Sequence, residues 1–228
     1  MNDDKLIVVQ SIHDFIDSGR QPQNKYPGVT RVLSDTKDES GLLEWRKRVG
    51  EEEAERILRE SHSIGTSLDR LVMSSFDESF VQEDYKDEPG YDLYRQLKAP
   101  LLKVDPIALQ LKVWSDKLRV MGYLDIIGFY DGVLTLIDVK NTRTTKQRKY
   151  VEDYFLQCTL YCIMLYELLG IEVKQIGLLI ADRSNTAPQI FIERTKDHVR
   201  NALKRVSEYH NNFTATGPSS VDNQPISS

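Results

Sequence analysis

The sequence predicts an α/β protein in which a mixed sheet with one antiparallel hairpin is flanked by helices and preceded by a helical subdomain. Three observations support this fold class. The first hundred residues carry helical patterns, the stretch after Pro106 consists of short runs rich in Val, Ile, Leu and aromatic residues, and a long helical segment follows before further strand-like runs. Helices, then an antiparallel meander, then a helix and a further strand make an α/β core with an N-terminal helical part.

The N-terminal part, residues 1–105, is predicted to be helical and to pack on the core. Helical segments are expected at residues 11–18, 41–60 and 65–80. Gly50 is a candidate break in the second of these. Two prolines and a glycine interrupt any periodicity in residues 21–30, so this stretch is predicted to be a loop.

The core is predicted to span residues 106–212. Its strands are expected at residues 108–114, 120–130, 133–141, 173–181 and 189–193. A long helix at 151–169 and a surface helix at 196–209 complete the core. Residues 213–228 are polar and contain Pro, Gly and Ser, so they are predicted to be a disordered tail.

Composition limits the classes of function. The chain has 228 residues, 40% of them hydrophobic, which is enough to bury a core. Its apolar runs are far shorter than the roughly 20 residues of a membrane span. The N-terminus opens with acids and lacks the basic and apolar regions of a secretory signal, so we expect a cytoplasmic location and no membrane partner. Cys158 and Cys162, four residues apart in a helical segment, are expected in the core and not in a disulfide.

The charge pattern restricts any nucleic-acid site to a small region. A net charge of −5 argues against a protein that coats nucleic acid, because affinity for phosphates comes largely from Lys and Arg. Residues 141–150 (NTRTTKQRKY) carry no acid and four basic side chains, which are Arg143, Lys146, Arg148 and Lys149. Such a run is usually a solvated loop. Because it directly follows the strand predicted at residues 133–141, we predict instead that these four side chains bind nucleic acid.

The most informative stretch is residues 122–141, GYLDIIGFYDGVLTLIDVKN. Asp131-Gly132, between two apolar runs, is the strongest short-range signal for a two-residue hairpin turn. This turn fixes the register of the two strands so that Asp125 faces Asp138 on the neighbouring strand. Both faces of the hairpin are otherwise apolar, so the two acids lie at the end of a buried surface.

Two carboxylates in that position repel each other, and the lowered dielectric increases the penalty. A divalent cation compensates most directly, because Mg²⁺ and Mn²⁺ prefer oxygen ligands and are held by one or two carboxylates together with substrate phosphate. The backbone carbonyl of Val139 is a further candidate ligand. Lys140 points to the same face, where it would orient or activate water and stabilise charge on the phosphorane. The structural alternative is that Asp125 and Asp138 are each paired with a Lys or Arg, with Lys140 serving one of them.

The next predicted helix adds two candidate site residues. Gln157 and Tyr161 are four residues apart and therefore project from one helix face, beside an apolar stripe. A Gln at the edge of an apolar face is more often a satisfied structural amide than part of a site. By itself, this pair of residues therefore does not distinguish a functional site from a structural contact.

Together these motifs resemble the RecB-like branch of the PD-(D/E)XK nuclease superfamily, which has a restriction-endonuclease-like core. The family pattern is an acid after Gly-x-x, a hairpin, Asp-x-Lys, and a following helix with Gln-x-x-x-Tyr. In this chain the pattern falls on Asp125, Asp138, Lys140, Gln157 and Tyr161. Upstream segments at 26–33, 44–52 and 65–68 are also similar to phage-encoded exonucleases and to the mitochondrial genome maintenance exonuclease.

The resemblance implies a metal-dependent DNA exonuclease that acts on single-stranded DNA or on DNA ends, in recombination, repair or degradation, inside a bacterial or phage-infected cell. It implies that Asp125 and Asp138 hold Mg²⁺ or Mn²⁺ and that Lys140 is catalytic. Gln157 and Tyr161 would position the substrate strand or brace Lys140. In the loop before the second predicted helix, Thr30 and Arg31 would contact the DNA backbone.

One position departs from the family pattern. Four residues after Gly65 the family usually has a metal-binding His, and this chain has Asp69, which can hold Mg²⁺ or Mn²⁺ through oxygen. An iron–sulfur cluster, present in some relatives, needs four Cys and is excluded because the chain has two. The alternatives to an exonuclease are a catalytically weak nucleic-acid-binding module, for which Asp69 is the hint, and a structure-specific endonuclease or RNase on the same scaffold.

Overall fold

A computed structural model describes residues 3–215. Its sheet has five strands in the order β1-β2-β3-β4-β5. The strands are β1 (Val104–Ser115), β2 (Val120–Tyr130), β3 (Val133–Thr142), β4 (Gln175–Asp182) and β5 (Gln189–Arg194). All neighbouring pairs are antiparallel except β3 and β4, which run parallel. The predicted mixed sheet with an antiparallel hairpin is therefore confirmed.

In the sequence, helices precede the sheet, connect β3 to β4 and follow β5. They are α1 (Asp3–Asp17), α2 (Val29–Asp35), α3 (Ser40–Val49), α4 (Glu51–Ser74), α5 (Tyr91–Leu101), α6 (Glu152–Leu169) and α7 (Val199–Ala215). Short 3₁₀ turns lie at Gln82–Tyr85, Arg148–Tyr150 and Thr195–Asp197. No helix within residues 3–215 has both the length and the apolarity needed to cross a bilayer.

The N-terminal helices differ from the prediction in detail. The predicted helix at 41–60 is divided at Gly50, whose φ of 87° is a conformation that other residues rarely adopt. From Gly50 onward α4 continues without a break to Ser74, and α5 was not predicted. At the other end of the chain, α7 extends to Ala215 and includes residues 213–215 of the predicted tail, whereas residues 216–228 lie outside the described part.

The sheet is covered on both faces. One apolar cluster joins the face toward α6 with α1, α2 and α7, and Phe155 and Leu160 of α6 are fully buried in it. The other cluster joins the opposite face with α4 and α5 through Leu68 and Leu97. The N-terminal helices are thus divided between the two faces of the sheet. Both cysteines are free and buried on α6, as the sequence predicts.

The predicted hairpin turn is present. Asp131 and Gly132 both have positive φ, 47° and 82°, which is the conformation of a type I′ turn. The predicted register follows from it and extends from Tyr130 opposite Val133 to Ile126 opposite Ile137.

At Ile126 the two hairpin strands separate. Beyond this residue β2 continues to pair with β1 alone, whereas β3 continues beside β4 as far as Thr142. The opposite strand β1 has a local irregularity at Gln110, with a φ of 47°. We call the opening between β2 and β3 the strand fork. It begins at Asp125, the first residue of β2 outside the shared ladder.

Candidate active site

The strand fork gives Asp125 a partner that the register alone does not predict. Instead of forming the next cross-strand pair with Asp138, Asp125 accepts a hydrogen bond at Oδ2 from the backbone N–H of Val139, at 2.9 Å. The side chain therefore takes the place of a backbone partner where the ladder ends. This contact fixes the carboxylate of β2 against the strand that carries the other two candidate residues.

Asp138 and Lys140 form a close ion pair at the fork. The Nζ of Lys140 donates a hydrogen bond to Asp138 Oδ1 at 2.7 Å, and it lies 3.9 Å from Asp125 Oδ2. Asp138 is 1% exposed. Its Oδ2 also lies 2.7 Å from Lys140 Nζ, but it accepts no hydrogen bond from any of the described residues. A buried carboxylate is costly unless a positive group faces it, and here that group is the Lys140 ammonium.

Burial and charge act in opposite directions on this pair. Burial raises the pKa of the Asp138 carboxyl above its ordinary value, against the effect of the Lys140 ammonium. Burial alone lowers the pKa of Lys140, but the carboxylates of Asp138 and Asp125 outweigh it and hold that pKa above the ordinary value. Lys140 is therefore a fixed ammonium group between two acids.

Asp69 reaches the same place from α4. Burial, together with the negative charge of Asp125, raises the pKa of the Asp69 carboxyl to about 6. A cavity of about 290 Å³ lies between these groups, room for on the order of ten waters. The cavity is lined by Gly65, Leu68, Asp69, Asp125, Val139, Lys140, Asn141 and Tyr154.

Two of these lining residues were not singled out from the sequence. Tyr154 lies on α6 with Lys140 Nζ at 5.6 Å from its ring centre. Its position three residues before Gln157, on the same helix face, was the available signal. Asn141 follows Lys140 on β3, and a Cβ on Gly65 of α4 would come within 3.0 Å of its Nδ2. Gly65 thus permits α4 to approach the end of β3 closely.

Gln157 lies on α6 beside Asp138. Its Nε2 is 3.5 Å from Asp138 Oδ1 and 3.3 Å from the hydroxyl of Tyr161. Tyr161 is only 3% exposed and packs against Gly122, where a Cβ would come within 2.6 Å of its ring. The prediction that Tyr161 contacts DNA is therefore not supported by its position. Its hydroxyl instead contacts Gln157, and the alternative role of bracing Lys140 stays a prediction.

Arg148 also differs from its predicted role. It donates hydrogen bonds to Glu193 of β5 and, at 2.9 Å, to Glu152, and its guanidinium lies 4.3 Å from the ring centre of Phe155. Phe155 also stacks with His198. Arg148 therefore joins β5 to the start of α6 and is not a free DNA contact. An isolated basic run did not reveal this, because the acidic partners are distant in sequence.

The remaining predicted DNA contacts occupy different surroundings. Arg143 and Lys149 are exposed, whereas Lys146 is half-buried and its backbone forms hydrogen bonds with Gln189 at 2.7 and 2.8 Å. Thr30 and Arg31 are exposed at the start of α2. The preceding Gly28 forms a bridge to Met121, on the part of β2 beyond the fork.

The donor set is compatible with a hard divalent cation. Among the residues that the structure describes, no three His, Cys, Asp or Glu side chains form a ready metal-binding cluster. Mg²⁺, however, is commonly held by only one or two carboxylates, with water and substrate phosphate as further ligands. Asp125 and Asp138 provide two carboxylates of this kind, and Asp69 and Val139 line the adjoining cavity.

The comparisons with known proteins found only distant similarities of structure. No family model matches the chain, and no curated protein matches it. Among solved structures, the chain is similar to the protein SSO0001, with 9% identity and a TM-score of 0.47 over 91% of this chain and 85% of that one. It is also similar to a "putative exonuclease" from Eubacterium rectale, with 14% identity and a TM-score of 0.40 over 74% of this chain and 77% of that one. At these values, function has to be argued from the site itself.

Proposed function

We propose that this chain belongs to the divalent-metal-dependent hydrolases of phosphodiester bonds. The observation that carries the proposal is the strand fork, where two carboxylates on adjacent strands meet one ammonium group beside a cavity. The buried Asp138 carboxylate supports the proposal as a second oxygen donor, although Lys140 Nζ lies 2.7 Å from its Oδ2.

The particular activity we propose is that of a DNA exonuclease acting on single strands or strand ends. The exposed Arg143 and Lys149 follow the strand that carries the acids, and Thr30 and Arg31 adjoin β2 beyond the fork. Arg143, Lys149 and Arg31, which pairs with Asp35, provide local positive charge on a chain that is acidic overall. The family pattern of Asp125, Asp138, Lys140, Gln157 and Tyr161 is the basis for choosing DNA ends over other phosphodiesters.

The residues divide the chemistry between them. Asp125 and Asp138 would hold Mg²⁺ or Mn²⁺, with Asp69 and the Val139 carbonyl as further ligands. Such an ion, when bound, polarises the phosphate and lowers the pKa of its bound water. Lys140, held by Asp138, orients the attacking water and stabilises the charge that develops on the phosphorane. Gln157 fixes the Asp138 carboxylate from the α6 side.

Cleavage products test the activity directly. The chain would be incubated with 5′- and 3′-labelled single strands, a duplex and a circular single strand, each with Mg²⁺, with Mn²⁺ or with chelator. We expect stepwise shortening of linear strands in the presence of metal and no cutting of the circle. Cutting of the circle would show an endonuclease, and no cutting of any substrate would reject the proposal.

Lys140→Ala tests the assignment of the catalytic lysine. We expect turnover to fall by about a hundredfold or more, with single-strand binding nearly unchanged, because the ammonium acts on the developing charge. Lys174→Ala is the matched control. Lys174 is exposed and lies just before the first residue of β4, at the end of the sheet away from Lys140. Turnover at the parent rate in Lys140→Ala would contradict the assignment.

Calorimetric titration with Mn²⁺ tests the ligands without relying on activity. We expect Asp125→Asn to weaken binding roughly tenfold or more, because one charged oxygen donor is lost. Asp92→Asn, at a carboxylate whose side chain is 89% exposed, should bind Mn²⁺ like the parent. Equal affinity in all three proteins would remove Asp125 from the ligand set.

A second candidate is a nucleic-acid-binding module without cleavage. The ion pair favours it, since Lys140 already supplies Asp138 with a positive partner. Strand binding that persists in chelator, with no product under any metal condition, would select this function.

A further inference from the structure

An exposed aromatic side chain lies beside the candidate acids. Tyr123 precedes Asp125 by two residues and belongs to the part of β2 that has separated from β3. It pairs with Lys112 of β1, so its backbone is held by the sheet. Its side chain is nevertheless 57% exposed. A rigid strand thus presents an aromatic ring to solvent next to the fork.

The direction of Tyr123 follows from its neighbour. A Cβ on Gly122 would collide with Tyr161 of α6, so Gly122 faces that helix. Successive residues of a strand point to opposite faces. Tyr123 therefore faces away from α6, toward the side of the sheet from which α4 brings Asp69 to the cavity.

Tyr123 also lies between two parts of the proposed site along β2. Met121, two residues before it, forms a bridge to Gly28, which lies two residues before the exposed Thr30. Asp125 lies two residues after it. At about 3.4 Å per strand residue, Tyr123 is about 7 Å along the strand from each. A strand of nucleic acid that passes from the Gly28 loop to the acids would pass this ring.

The chain is acidic overall, so a contact with nucleic acid that is not ionic would add affinity. Arg148 is committed to Glu193 and Glu152, and the chain carries a net charge of −5. Stacking of a base on an aromatic ring adds affinity without a charge and without sequence preference. We propose that Tyr123 stacks on a nucleobase of the strand whose phosphodiester lies at Asp125 and Asp138. This proposal rests on the proposed nuclease function and adds the contact that holds the base.

Binding of a fluorescent single-stranded oligonucleotide, measured by anisotropy in chelator so that nothing is cut, tests the contact. We expect Tyr123→Ala to weaken binding roughly tenfold or more, and Tyr123→Phe and Tyr123→Trp to bind nearly like the parent. The dependence of affinity on salt should stay the same, because no phosphate contact is lost. Tyr166→Ala is the matched control, since Tyr166 is 60% exposed on α6 beyond Tyr161.

A strand with 2-aminopurine provides a direct readout of stacking. The parent should quench its fluorescence at one position, and Tyr123→Ala should abolish that quenching. If the parent cleaves DNA while Tyr123→Ala binds within twofold of it, or if the salt dependence falls in this variant, the stacking proposal is overturned and the nuclease proposal stands. If the parent neither binds nor cleaves single strands, both proposals are overturned.

Discussion

Asp69 and Asp138 show how burial sets the chemistry of single side chains at the fork. Burial raises the pKa of both carboxyl groups, to about 6 for Asp69, where the Asp125 carboxylate adds to the effect. Lys140, at 2.7 Å, opposes the shift at Asp138. Asp69 lines the cavity and Asp138 is buried at the adjoining fork, and neighbouring acids with raised pKa values are typical of functional sites.

Gly122 is required by its neighbour on α6. We expect Gly122→Ala to destabilise the protein by about 1–3 kcal/mol, because the new methyl group must displace the buried ring of Tyr161. Displacing Tyr161 also moves Gln157, so activity should fall further than stability alone would explain. Urea unfolding and initial cleavage rates measure the two effects.

Two further variants separate this contact from a general loss of packing. Gly41→Ala changes a glycine of α3 whose Cβ would meet nothing within 4 Å, and it should leave stability within about 0.5 kcal/mol of the parent. Gly122→Ala combined with Tyr161→Leu should recover part of the lost stability, since the clashing ring is removed. No recovery would show that Gly122 matters for another reason.

For single residues, the sequence predicted which side chains lie close together better than it predicted the contacts that they form. The turn chemistry of Asp131-Gly132 was sufficient to bring Asp125 near Asp138, because a two-residue turn fixes register. The hydrogen bond from Val139 to Asp125 could not be predicted, since it depends on the two strands separating. The burial of Tyr161 depends equally on a glycine that is distant in sequence.

The junction of β5, α6 and α7 shows the same limit for whole elements. Periodicity and turn signals located the five strands and α6, but they did not indicate that Arg148 links β5 to α6 through Glu193 and Glu152. They also missed α5, although Leu93, Leu97 and Leu101 recur at helical spacing and are buried. The ion pairs of Arg148 depend on partners distant in sequence, which a single sequence does not reveal, whereas the helical spacing in α5 is local and visible in the sequence.

Arg148 and Lys149 are adjacent and should behave differently. We expect Arg148→Ala to lower the free energy of unfolding by about 1–3 kcal/mol, because hydrogen bonds to two carboxylates are lost. Lys149→Ala should leave stability unchanged and reduce the salt dependence of DNA binding, as the loss of a phosphate contact does. Chemical denaturation and binding at several salt concentrations check both. The opposite pattern would restore Arg148 as a DNA contact.

The same junction predicts a dependence of stability on acid. The Arg148 guanidinium, against the effect of burial, holds the pKa of Glu193 below its ordinary value of 4.5. A carboxyl whose folded-state pKa is depressed stabilises the fold above its unfolded pKa, and this contribution is lost as the pH falls through the folded value. We therefore expect stability to decline below about pH 4.5, and to decline less in Arg148→Ala. Unfolding curves from about pH 6 to about pH 3 measure the difference.

On the scale of the whole molecule, the sheet lies between two apolar clusters and contributes side chains to both. Helices from the first hundred residues contribute to both, with Ile12 and Val32 on the α6 side and Leu68 and Leu97 on the other. Each face of the sheet therefore needs chain from the N-terminal part to cover it. The fold class was predictable from the order of patterns, but this division of the helices was not.

A fragment that begins at residue 104 tests this dependence. We expect it to lack a cooperative unfolding transition, because β1 to β5 would expose the apolar face that α4 and α5 cover. Circular dichroism during heating and binding of a hydrophobic dye measure this. A sharp transition with no dye binding would show that the core folds without the helices.

The hydrogen bond at the opening of the fork also provides a natural reporter. The amide of Val139 is protected by a side chain and not by the β2 backbone, so its deuterium uptake follows the orientation of Asp125. Any ligand that draws this carboxylate away leaves that one amide open to solvent, while the neighbouring amides paired with β4 stay protected. Binding of a ligand at the fork could then be monitored from the deuterium uptake of single amides, without any cleavage reaction.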